Sequence, residues 1–102
     1  MNAVLKVDGG QLRLKGPVTV ATATSLHREI QTHLGGKSTL PDVVTLDCSE
    51  VGTADSAAIA LLIEAWRHVS AQGKRLEVIG LREQLTSLAH IYGVDWLVAS
   101  AE

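Results

Sequence analysis

The sequence predicts an α/β domain, with a mixed sheet of four to five strands and three main helices packed against it. Three observations predict it. Short apolar stretches alternate with longer segments of helical period, an order that builds parallel strands joined by helices. Glycines stand where each helical pattern stops, at Gly35, Gly73 and Gly93. The apolar residues are almost all aliphatic, with 14 Leu, 12 Ala, 11 Val and 5 Ile against 3% aromatics and no Phe.

The elements follow in order. Leu12-Arg13-Leu14-Lys15 alternates cleanly, and Asp8-Gly9-Gly10 before it is turn chemistry, so a hairpin is expected over 3–7 and 11–15. Gly16-Pro17 should end it. A helix over 20–34 follows, with Thr19 as its expected N-cap and Ala23, Leu26, Ile30 and Leu34 on its apolar side. Val43-Val44-Thr45-Leu46 is too short a run for a helix and reads as a central strand. The next helix covers 56–72, with Ile59, Leu62, Ile63, Trp66 and Val69 as its inward stripe. Residues 76–79 read as a strand. Residues 82–92 read as a helix with Leu81, Leu85, Leu88 and Ile91 inward, and 94–98 as a short last strand.

A chain of 102 residues is one domain, 1–102, large enough to hold a core without staples. A net charge of −2 and the scarcity of aromatic rings argue against nucleic acid, which requires a basic face and stacking platforms. The single Cys48 excludes an internal disulfide and a cysteine-based metal site. The longest strongly apolar run, 57–63, is far short of the roughly 20 residues that span a bilayer, and the first ten residues have no signal-peptide core. A soluble cytoplasmic protein is expected, reaching a membrane only through a partner.

The search for catalytic chemistry returns little. Leu34-Gly35-Gly36-Lys37-Ser38 imitates a phosphate-binding loop, but Gln31 stands where its first glycine is needed, and the segment follows a helix rather than a strand. His27, His33, His68 and His90 show no i,i+3 or i,i+4 pair for a metal. Ser56 lies beside Asp55 but in no nucleophile elbow. The chain therefore reads as a non-enzyme with no metal and no cofactor.

The distinctive feature is Asp55-Ser56 opening a helix whose first two turns are almost wholly apolar. Either residue can cap the helix, and the helix N-terminus would tolerate phosphate on Ser56. Ala57, Leu61, Glu64 and His68 form a second stripe. The pattern leaves two arrangements open: Leu61 with Ala57 and Ala60 at a partner-facing surface, or the helix buried between the sheet and a neighbouring helix.

Leu46-Asp47-Cys48-Ser49-Glu50-Val51, Thr53-Ala54-Asp55-Ser56, Gln72-Gly73-Lys74-Arg75-Leu76 and Leu88-Ala89-His90-Ile91-Tyr92-Gly93-Val94 together resemble the STAS family, the small domains of sulfate transporters and anti-sigma-factor antagonists. The resemblance spans nearly the whole chain and places the family's phosphorylatable hydroxyl on Ser56. Ala60-Leu61-Leu62-Ile63-Glu64-Ala65-Trp66 and the segment 85–94 are most similar to MlaB-type members, cytoplasmic subunits of the ABC system that maintains outer-membrane lipid asymmetry in Gram-negative bacteria. The resemblance implies a binding subunit that docks on the transporter's ATPase and supports its assembly. With the small, apolar first turns of the helix, it leads to the expectation that Asp55, Ser56, Ala57, Ala60, Leu61 and Glu64 form the docking surface. It also leaves room for a homodimer. The alternative it implies is an anti-sigma-factor antagonist switched by phosphorylation of Ser56, with a small-molecule sensor as a third class. Many such antagonists read Asp-Ser-Ser-Gly-Leu, where this chain has Asp55-Ser56-Ala57-Ala58-Ile59. That departure favours constitutive docking over a phospho-switch.

Overall fold

A computed structural model describes residues 3–8, 11–35 and 40–98. The elements are β1 (Val4–Asp8), β2 (Gln11–Val18), α1 (Ala23–Leu34), β3 (Val43–Ala54), α2 (Ser56–Ala71), β4 (Arg75–Ile79), α3 (Glu83–Ile91) and α4 (Asp95–Val98). They build one four-stranded sheet in the order β1-β2-β3-β4, with β1 antiparallel to β2 and the other neighbours parallel. The expected mixed sheet with three main helices is what forms.

Alternation sorts the strands' side chains. Leu12 and Leu14 of β2, Val44, Leu46 and Cys48 of β3, and Leu76 and Val78 of β4 are all buried. Intervening residues stand on the open face, where Lys6, Arg13 and Asp47 share one cross-strand row and Arg13 pairs with Asp47 at 3.6 Å. Burial of each large aliphatic side chain contributes about 1.5–3 kcal/mol, so this aliphatic inner face supplies most of the fold's stability. The free edge of β1 is blunted by Glu29, whose carboxylate accepts the Leu5 N–H at 3.2 Å.

The structure corrects the sequence reading in several places. Strand β3 runs to Ala54, well past Leu46, because two irregularities break its alternation. Arg13 pairs with Asp47 but Lys15 with Glu50, and Gly16 pairs with Val51 but Val18 with Ala54. Each step leaves one extra residue on β3, so its inward residues fall at 44, 46, 48, 51 and 54. Strand β2 likewise continues through Gly16-Pro17 to Val18, because Gly16 still pairs with β3. Gly9 and Gly10 of the expected hairpin turn, and Gly36–Thr39 of the loop after α1, lie outside the described residues.

Helix α1 starts at Ala23 with Thr22, not Thr19, at the N-cap position. Residues 19–22 are instead a turn, closed by the Thr22 N–H to the Thr19 carbonyl at 3.0 Å and by the Thr22 hydroxyl donating to the Pro17 carbonyl at 2.9 Å. In α3, Ala89 is buried and Ile91 points to solvent. Residues 95–98 are helical rather than a last strand, because β4 is flanked by α4 and no further edge pairing is made among the described residues.

Candidate functional site

Because β2, β3 and β4 are parallel, the connections that follow them emerge at one edge of the sheet, the edge where open α/β sheets bind ligands and partners. Asp55, the single residue between β3 and α2, lies at the centre. Its extended backbone (φ −132°, ψ −165°) turns the strand into the helix. Its Oδ1 accepts the Ala57 N–H at 2.8 Å, making Asp55 the N-cap. Its Oδ2 accepts the Val20 N–H at 3.2 Å, and its own N–H bonds the Val18 carbonyl at 3.3 Å. Asp55 thus ties the β2–α1 turn to the start of α2.

The third connection closes over the same edge. Gly80 has φ +70°, and a Cβ there would stand 2.7 Å from Asp47 Oδ1 and 2.8 Å from Ser49 N. Only a glycine lets β4 turn this close to β3. The Ser49 N–H donates to Asp47 Oδ1 at 2.8 Å, and these Ser49 contacts hold the Asp47 carboxyl below its ordinary pKa. Beyond the turn, Arg82 donates to the Val51 carbonyl at 3.3 Å and Gln84 to the Ala54 carbonyl at 2.8 Å. The backbone at the end of β3 is thereby satisfied from α3.

The six residues expected at the site separate into three environments. Ser56 and Ala60 are exposed on the outer face of α2, with Ala57 half-buried and Asp55 half-buried beneath them as the cap. Leu61 is 1% exposed and belongs to the core, which corrects the expectation of a surface contact. The reason is that α2 is covered on three sides, by the sheet below, α1 on one flank, and α3 with α4 on the other. At 100° per residue, its buried residues Ala58, Ile59, Leu61, Leu62, Ala65 and Val69 spread over about 160°. Trp66, expected inward, instead lies at the rim of this arc, 37% exposed.

Glu64 stands apart from the helix start. Its Oε1 contacts His27 Nδ1 of α1, and its Oε2 lies 3.6 Å from His68 Nε2, one turn along α2. It borders a shallow groove with Gln31, Arg67, His68 and Ala71. Its first role is to hold α1 against α2. Sequence reasoning missed Val20, which is 73% exposed beside the cap. No sequence signal marks it, since it reaches the site only through the Asp55 side chain.

Among the described residues no group of three or more His, Cys, Asp or Glu could hold a metal, and no helix is long and apolar enough to cross a membrane. Cys48 is fully buried, and burial pushes its thiol up to about 12, where it is no nucleophile at neutral pH. The exposed edge offers backbone and small side chains, which suits contact with another protein surface.

Residues 1–99 match the family model described as Mlab, STAS domain. No curated protein matches the chain in sequence. Among solved structures, the anti-sigma factor antagonist SpoIIAA in its unphosphorylated form superposes with a TM-score of 0.67 at 13% identity, covering 87% of this chain and 82% of that one. A sulfate transporter family protein from Wolinella succinogenes gives 0.66 at 21% identity, covering 87% and 71%. The SulP transporter STAS domain from Vibrio cholerae gives 0.63 at 14% identity, covering 91% and 71%. At these identities the structural likeness speaks for the fold.

Proposed function

The chain belongs to the STAS domain family, and from that premise we propose that it is a non-enzymatic binding subunit that docks on the ATPase of an Mla-type ABC transporter. There it supports assembly and activity of a system that maintains outer-membrane lipid asymmetry. The family model's description supports the MlaB-type reading. The observation that carries the docking surface is the edge at Asp55, where exposed Val20, Ser56 and Ala60 are held together by a cap bonded to two connections. The small side chains Ser56 and Ala60 let a partner backbone approach closely. The protein is cytoplasmic in this reading and meets the membrane only through its partner.

The experiment is binding to the purified ATPase subunit, with thermal melts of each variant alongside. Ser56→Glu should stay folded, since a negative charge at a helix N-terminus is favourable by about 0.3–1 kcal/mol. A charge left unpaired in a desolvated contact costs several kcal/mol, so affinity should fall a hundredfold or more. A folded Ser56→Glu protein that binds as tightly as wild type places the docking surface elsewhere.

The exposed Ser56 hydroxyl favours one second reading, an anti-sigma-factor antagonist switched by phosphorylation at that residue. The two readings part on the partner. Phosphorylation of Ser56 by an anti-sigma kinase, with no binding to the ATPase subunit, would select the second.

A further inference from the structure

Residues 19–22 form a surface turn between β2 and α1, yet all four of their backbone N–H groups are bonded. The Thr19 N–H donates to the Thr22 hydroxyl at 3.1 Å, the Ala21 N–H to the Thr19 hydroxyl at 3.3 Å, and the Thr22 N–H to the Thr19 carbonyl at 3.0 Å. These three bonds are local, the ordinary chemistry of hydroxyl side chains in turns. The fourth is not. The Val20 N–H donates to Asp55 Oδ2, 35 positions away, at 3.2 Å.

Folding has little use for that fourth bond. Capping α2 takes one oxygen, which Oδ1 supplies to the Ala57 N–H at 2.8 Å, and Asn or Ser caps a helix about as well as Asp. The Val20 bond is exposed, so water would replace a lost acceptor at small net cost. What Oδ2 adds is position. It fixes the turn against the first residues of α2, where Ser56 and Ala60 are exposed. Val20 itself is 73% exposed. A valine is stiff at χ1, so once its backbone is tethered the side chain stands in one place.

We propose that the two oxygens of Asp55 divide the work: Oδ1 caps the helix, and Oδ2 is a positioning group that holds Val20 as a preformed apolar contact for the ATPase subunit. This division rests on the docking reading, because its benefit appears only when a partner meets the turn and the start of α2 together. A free turn must be ordered at the moment of contact, whereas a tethered one has been ordered by the fold already. Ordering the backbone of one residue corresponds to about a five- to thirtyfold difference in affinity. Asp55 therefore acts on the partner through Val20 rather than by touching it.

Asp55→Asn separates the two roles. The one remaining oxygen goes to the shorter, part-buried Ala57 bond, which turns the amide NH2 toward the Val20 N–H, donor against donor. The variant should melt within about 4 °C of wild type, since the cap survives. Read by NMR, its Val20 amide should exchange about tenfold faster while the Ala57 amide is unchanged. Its affinity for the purified ATPase subunit should fall about five- to thirtyfold. Val20→Ala should weaken binding about threefold or more at an unchanged melting temperature, because Val20 is outside the core. Unchanged Val20 exchange in Asp55→Asn overturns the proposal, as does a melting temperature as low as that of Asp55→Ala. Wild-type affinity in either Asp55→Asn or Val20→Ala overturns it as well, while leaving the docking reading in place. A wild-type protein that does not bind the ATPase subunit overturns the docking reading and the role of Oδ2 with it.

Discussion

The carboxylate of Asp55 accepts one N–H from its own helix and one from the β2–α1 turn, whereas the Ser56 hydroxyl beside it is exposed and has no structural partner among the described residues. Asp55→Ala should therefore cost about 1–2 kcal/mol, a fall of about 4–8 °C in melting temperature per kcal/mol for a domain of this size. Ser56→Ala should stay within about 0.5 kcal/mol of wild type. Thermal melts of the two variants check this, and a larger loss from Ser56→Ala than from Asp55→Ala would put the cap on Ser56. Gly80→Ala meets a harder limit. Its positive φ and the backbone nitrogen of Ser49 at 2.8 Å leave no room for a methyl group. A loss of about 1–3 kcal/mol or more is expected in urea unfolding. A cap was legible in the sequence as an Asp-Ser pair before an apolar run, and the structure assigns it to Asp55. Its bond to Val20 was not, because the two residues are 35 positions apart and meet only through the parallel pairing of β2 and β3.

Helix α2 shows how an element can carry core and surface on adjacent residues. Leu61→Ala, deep under α1, should cost about 2–5 kcal/mol, while Ala60→Ser, one residue earlier and exposed, should cost less than about 0.5 kcal/mol. Chemical denaturation of both variants checks the contrast, and similar values would mean that α2 is rotated from the orientation described here. Loss of partner binding in a Leu61 variant would therefore report unfolding rather than contact. Glu64→Gln removes the charge facing His27 and His68. Both histidines are about a third exposed, and exposed ion pairs contribute about 0–1 kcal/mol. In the sequence α2 has an inward stripe of Ile59, Leu62, Ile63, Trp66 and Val69, and Leu61, on a second stripe, is left open between surface and core. Flanking helices on both sides made the buried arc wider than one stripe and drew Leu61 in. Strand β3 failed to show its length for a different reason. Its bulges replace the period of two by two steps of three, so Val51 falls out of phase with Val44 and Leu46 and the alternation is lost between Cys48 and Ala54.

At the scale of the whole molecule, Cys48 at the centre of β3 reports on global opening. Its thiol is shielded and pushed up to about 12 by burial first and the nearby Asp47 charge second. The folded state keeps this proton after the unfolded chain has lost it, above about pH 9. Stability should therefore be intact at neutral pH and fall as pH rises from about 9 toward 12, by at most about 1.4 kcal/mol per pH unit. Denaturant titrations at pH 7, 9 and 10 check the slope. Labelling by a thiol reagent at neutral pH should proceed no faster than global unfolding, and rapid labelling would place Cys48 at the surface. The sequence by itself determined the class of the fold, most of its elements, the aliphatic core and the strand-to-helix junction at Asp55, because each is written in local periodicity, turn chemistry and capping. The tertiary structure decided which flank of α2 faces solvent, where β2 and β3 end, that residues 95–98 coil rather than pair, and that Trp66 and Trp96 meet edge to face. Those outcomes depend on which elements become neighbours, and burial is a property of neighbours rather than of any segment alone.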